Sequence, residues 1–78
     1  MMSRSKSSRL AQKIILIIFE RQTYIEFKHG IPTREIHNDL MISFGIDIDK
    51  KCLANFIRSS MKNEIIIEKN NGYNVYKI

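Results

Sequence analysis

The sequence predicts an α+β fold of three helices, one short strand and a C-terminal β-hairpin, and three observations predict it. Apolar residues recur at helical spacing in three separate stretches. An Asn71-Gly72 pair splits the last segment into two runs rich in β-branched and aromatic residues. The 78 residues and 44% hydrophobic content suit one small core, and the 27% charged content is too mixed in sign for a disordered chain.

Residues 1–9, rich in Ser with interleaved Arg4, Lys6 and Arg9, lack apolar periodicity and read as a flexible basic arm ahead of a domain spanning 10–78. Ser8 can cap the helix that follows. Leu10, Ile14, Ile17 and Ile18 then share one face of a helix running to about Gln22, although the isoleucine run alone also suits a strand. Tyr24 to Lys28 alternates and predicts a short strand, broken by His29-Gly30.

Pro32 and Thr33 open a second helix, with Thr33 as N-cap and Ile36, Leu40, Met41 and Phe44 as its apolar face, ending at Gly45. Asp49 caps a third, marked by Cys52, Leu53, Phe56, Ile57 and Met61 and running to about Asn63. Two helices joined by a short Gly-containing turn form the helix-turn-helix signature. In the hairpin, a two-residue turn at Asn71-Gly72 pairs Asn70 with Tyr73, Glu68 with Val75, Ile67 with Tyr76 and Ile65 with Ile78. That register places Ile65, Ile67, Tyr76 and Ile78 on one face, whereas a four-residue loop with a bulge would shift it.

The formal charge of +5 is distributed unevenly. Met1 to Lys13 carries four cations and no acid, Ile14 to Asp49 carries three cations against six acids, and Lys50 to Ile78 carries six cations against two acids. A polyanionic partner is the natural expectation. The apolar run Ile14 to Phe19, closed by Glu20-Arg21, is too short for a secretion signal or a membrane span, so no membrane partner is expected; a Ser/Arg-rich transit peptide is the lesser alternative.

Chemistry finds little support. Gly30, Gly45 and Gly72 all sit at turns, not in a phosphate loop, and Cys52 with His29 and His37 has no recognised zinc spacing. Cys52 reads as a small buried hydrophobe, His29 as a loop residue, His37 as a helix-surface residue, and Asp47 and Asp49 as capping residues. No enzyme activity, metal, cofactor or small-molecule ligand is expected.

The third helix carries the functional signal. Projected at about 100° per residue, Lys51, Asn55, Arg58 and Lys62 fall within an arc of about 60° that contains no acid. Leu53, Phe56, Ile57 and Ser60 point the opposite way. Arg58 and Asn55 are side chains able to make bidentate contacts to guanine and adenine edges. Lys50, and Lys69 and Asn70 at the hairpin tip, can add phosphate contacts, as can Arg4, Lys6 and Arg9 of the arm. A solvated helix face is the plain alternative for the stripe, and turn geometry alone accounts for Asn71-Gly72.

Helix 1 is apolar nearly all round, because Ile15, Leu16 and Phe19 extend the arc set by Leu10, Ile14, Ile17 and Ile18. So small a chain has little to cover them, and a homodimer with Ile15, Leu16 and Phe19 in its interface is expected.

The order helix, short strand, helix, turn, helix, hairpin over Leu10 to Ile78 resembles the winged helix-turn-helix family. The resemblance implies that the third helix enters the major groove and that the hairpin, as a wing, touches the backbone or minor groove. It also implies dimerisation through helix 1. Fifteen Ile, eight Lys and six Asn suit an AT-rich genome, and the chain is similar to small stand-alone regulators of archaeal viruses, phages and plasmids. The expected function is sequence-specific binding of double-stranded DNA by a cytoplasmic transcriptional regulator, in the host cell if viral, acting by occupancy on a palindromic site. The alternatives are a winged-helix protein-interaction module and a non-specific nucleic-acid binder.

Overall fold

The computed structural model of the chain describes residues 6–78, with side chains from Arg9 onward. The architecture is α+β: helices α1 (Lys6–Arg21), α2 (Thr33–Phe44) and α3 (Lys50–Ser60), and strands β1 (Ile31–Pro32), β2 (Ile66–Asn70) and β3 (Tyr73–Lys77). The strands form one antiparallel sheet in the order β1-β3-β2. No helix among the described residues is long and apolar enough to cross a membrane.

Helix α1 starts at Lys6, not Leu10, so Lys6 to Arg9, expected in the flexible arm, are helical and Ser8 lies inside the helix. Periodicity marks only the turns that reach the core. Lys, Arg and Ser extend a helix already anchored at Ile14, Ile17 and Ile18 at little cost.

The strand expected at Tyr24 to Lys28 is absent. Ile25–Phe27 is a 3₁₀ turn in which Phe27 alone is buried and Ile25 is 84% exposed. The Tyr24 and Phe27 rings, three residues apart, stack with centroids 6.4 Å apart, a spacing that a strand does not allow. Strand character belongs to Ile31–Pro32, which pair with Tyr76 and Val75 of β3. Gly30 makes this pairing possible. Its φ is +120°, and a Cβ there would lie 2.9 Å from Val75 Cβ.

Thr33 does not cap α2; Pro32 holds the N-cap position, and the Thr33 hydroxyl shares a 2.9 Å hydrogen bond with the Tyr76 hydroxyl. Gly45, in the left-handed conformation, closes α2 as expected, its N–H donating to Met41 O at 3.0 Å. Ile36 and Leu40 are buried, but Met41 and Phe44 are about two-fifths exposed, Phe44 lying under the Lys13 ammonium at 5.7 Å. Asp39 takes a place on the buried side of α2 that no apolar pattern marked. Its carboxylate accepts from Arg21 Nε and Nη2 of α1, both at 2.7 Å.

Asp49 caps α3, Oδ2 accepting from Lys51 N at 3.0 Å and Cys52 N at 3.4 Å. The helix ends at Ser60, three residues before Asn63, because Met61 turns into the core as the C-cap. Two side chains placed inward by the sequence lie outside: Cys52 and Ser60 are exposed, and Leu53, Ile57 and Met61 fill the core side instead.

From Asn70 to Ile67 the hairpin register is the expected one, Asn70↔Tyr73, Glu68↔Val75 and Ile67↔Tyr76, but the ladder ends at Ile66↔Lys77, so the expected Ile65–Ile78 pair is not part of it. Asn71 and Gly72 have φ of 55° and 84°, as a type I′ turn requires. Ile65 and Tyr76 are buried in one core cluster with residues of α1, α2 and α3, and Ile67 packs at its edge. Ile78, placed on that face by the sequence, is half exposed; its N–H donates instead to Gln22 Oε1 at 2.8 Å, tying the last residue to the end of α1.

Candidate nucleic-acid interface

Burial of Leu53, Ile57 and Met61 fixes which side of α3 faces out. Lys51, Asn55 and Arg58 occupy that outer side, all exposed, with Cys52 and Ser59 beside them. Arg58 Nη2 donates to Asn55 Oδ1 across one turn. The stripe is therefore present over the length of the helix. Lys62, projected as its last member, is exposed but lies beyond the helix end, so its direction is set by the turn at 61–64.

Lys50 stands at the first position of α3, and Lys69 and Asn70 at the end of β2, all exposed. Lys77, the other cation of the hairpin, is paired with Glu68 at 3.3 Å. That ion pair leaves Lys69 as the hairpin cation without an acidic partner among the described residues. Arg9 is exposed on α1, where with Lys13 it flanks Leu10 and Ile46 in a separate, mainly apolar groove of about 290 Å³. The side chain of Lys6 and the whole of Arg4 lie outside the described residues.

One residue that the sequence reading passed over joins this surface. Arg34, in the acid-rich middle of the chain, lines a half-open groove of about 340 Å³ together with Lys50 and Lys69. Pairing of β1 with β3 sets the first turn of α2 beside the hairpin, and so sets Arg34 beside Lys69. Local charge counting cannot reveal this, since residues 34, 50 and 69 meet only through tertiary structure. Tyr73, at the start of β3, also lines this groove.

On α1, Leu16 and Phe19 are 59% and 67% exposed and Ile15 is partly buried against the core. The first two are thus an uncovered apolar face. Among the described residues no three His, Cys, Asp or Glu side chains are grouped to hold a metal. Compared with protein-family models, curated proteins and solved structures, the chain matches none at a significant level.

Proposed function

We propose that the protein is a winged helix-turn-helix regulator that binds double-stranded DNA sequence-specifically, with α3 in the major groove. The observation that carries this reading is the acid-free outer side of α3, where Lys51, Asn55 and Arg58 stand exposed opposite Leu53, Ile57 and Met61. Such a stripe combines cations for phosphates with an amide and a guanidinium able to read base edges. The hairpin acts as the wing, and Lys50, Lys69 and Asn70 contact the backbone. Arg4, Lys6 and Arg9 add charge from the N-terminal side.

Uncovered Leu16 and Phe19 on α1, with Ile15 beside them, support a homodimer through these residues, which in turn calls for an inverted-repeat site with half-sites roughly 34 Å apart. It binds without catalysing a reaction and regulates transcription by occupying its site. Selection of bound sequences from a random duplex pool at near-physiological salt tests the reading. Enrichment of an inverted repeat is the expected result; retention without any preferred sequence identifies a non-specific binder, and absence of retention overturns DNA binding altogether.

A further inference from the structure

Arg34 comes from the first turn of α2, Lys50 from the start of α3 and Lys69 from β2, yet all three line one half-open groove of about 340 Å³. No acid is among the residues lining it. Among the described residues the ion pairs engage Arg21 and Lys77, and none engages these three cations. Three like charges lining one groove from three elements concentrate positive potential there, and no ion pair among the described residues offsets it. We infer that the groove is a seat for a phosphate group.

The frame around it is held in place before any ligand arrives. Pro32 is paired to Val75, and the Thr33 hydroxyl is bonded to that of Tyr76, so the α2 end of the groove is pinned to β3. The type I′ turn at Asn71-Gly72 fixes Lys69 opposite Asn74 across the hairpin, and the Asp49 cap fixes the first turn of α3. Ordering these backbone segments costs nothing further at binding.

The chemistry selects an oxyanion of more than one charge. Arg34 offers a planar fork that matches two phosphate oxygens, and Lys50 and Lys69 add point charges. The volume, at the small end of the range of about 300–1,000 Å³ for small-molecule sites, exceeds what a bare phosphate needs and leaves room for an attached sugar.

The phosphate can be a phosphodiester of a duplex backbone or part of a small phosphorylated molecule. The first source rests on the DNA-binding reading above, and the phosphate chemistry of the groove does not. Two measurements on the full chain separate them. In the first, inorganic phosphate is titrated at low ionic strength while backbone and arginine side-chain NMR signals are followed. Shifts at Thr33, Arg34, Lys50 and the hairpin from Lys69 to Asn74 are expected, weakened several-fold by Arg34→Gln or Lys69→Gln. In the second, the salt dependence of duplex affinity is measured for the same variants. A slope reduced by about one for each substitution, equal on selected and random sequences, identifies the backbone as the source.

Groove shifts with unchanged slopes identify a small phosphorylated molecule. Groove shifts in a protein that binds no duplex retain the seat and remove the DNA reading. Duplex binding with unchanged slopes and no phosphate-induced shift in the groove overturns the seat and leaves the DNA reading standing. Both substitutions are at exposed positions, and matching thermal unfolding of variants and parent shows that the fold is intact.

Discussion

Arg58 donates through Nη2 to the side-chain oxygen of Asn55, one turn earlier on the exposed side of α3. The two side chains therefore present themselves to a partner as one unit. An asparagine reading adenine uses its oxygen to accept and its NH₂ to donate, and here one of the oxygen's two lone pairs is taken by the guanidinium. On the proposed DNA-binding reading, Arg58 would use its remaining donors on a guanine edge, with Asn55 setting where they point. On the preferred duplex, Arg58→Ala is expected to cost about 1–3 kcal/mol and to relax one base pair. Asn55→Ala relaxes the same base pair. Sequence selection with both variants checks this, and relaxation at two different base pairs means that the side chains read independently.

The bidentate ion pair between Arg21 and Asp39 joins α1 to α2, the two helices that present the apolar face and the first turn of the groove. Asp39 is 8% exposed, so removing Arg21 strands a nearly buried carboxylate. Arg21→Met is expected to destabilise the fold by about 2 kcal/mol, less than for a fully buried pair because Arg21 is partly open to water. The hydrogen bonds to Asp39 push the Arg21 guanidinium above the ordinary arginine range. A pKa raised on folding adds stability at every pH below the unfolded value and loses it only above that. The stability difference between parent and Arg21→Met, from urea unfolding, therefore stays constant between about pH 7 and about pH 10.

The hairpin near its turn was legible because Asn71-Gly72 specifies its own geometry and the alternation around it specifies the register, whereas the expected Ile65–Ile78 pair at its open end was not borne out. Asp49 and Gly45 were legible for the same reason: a cap is a local device. What was hidden depends on contacts distant in sequence. Tyr24 to Lys28 alternates like a strand, but the sheet places its third strand at Ile31–Pro32, where β3 is within reach. Asp39 carries no apolar signal in the sequence, and its place on the buried side depends on Arg21 reaching it from α1. In the candidate site, the stripe on α3 followed from one helix's periodicity, whereas Arg34 joined Lys50 and Lys69 only when β1 paired with β3.

Gly30 tests that pairing directly. At φ of +120° an L side chain is strained, and a Cβ there meets Val75 Cβ at 2.9 Å and Tyr76 N at 3.3 Å. Relief requires β1 to move away from β3, and with it the first turn of α2. Gly30→Ala is expected to lower stability by about 2 kcal/mol or more, measured by thermal or chemical unfolding. Arg34 would lose its position beside Lys69, so any phosphate response in the hairpin should weaken in the folded variant. Gly72→Ala, which meets nothing within 4 Å although its φ is +84°, is expected to cost less.

The apolar face of α1 makes the last prediction. Phe19 and Leu16, at 67% and 59% exposure, contribute little to the core of one chain, so their substitution should leave monomer stability nearly unchanged. In a two-fold dimer each side chain is used twice, because the same patch serves both protomers. Burying a Phe or Leu side chain contributes about 1.5–3 kcal/mol, so Phe19→Glu removes about 3–6 kcal/mol from the pair and raises the dissociation constant at least about a hundredfold. Light scattering coupled to size exclusion, at micromolar protein, should find a dimer for the parent and a monomer for Phe19→Glu. The variant should also lose preference for an inverted repeat over a single half-site while keeping its base preference within the half-site. A parent that runs as a monomer at these concentrations removes α1 as the interface and leaves Leu16 and Phe19 without a role in pairing half-sites.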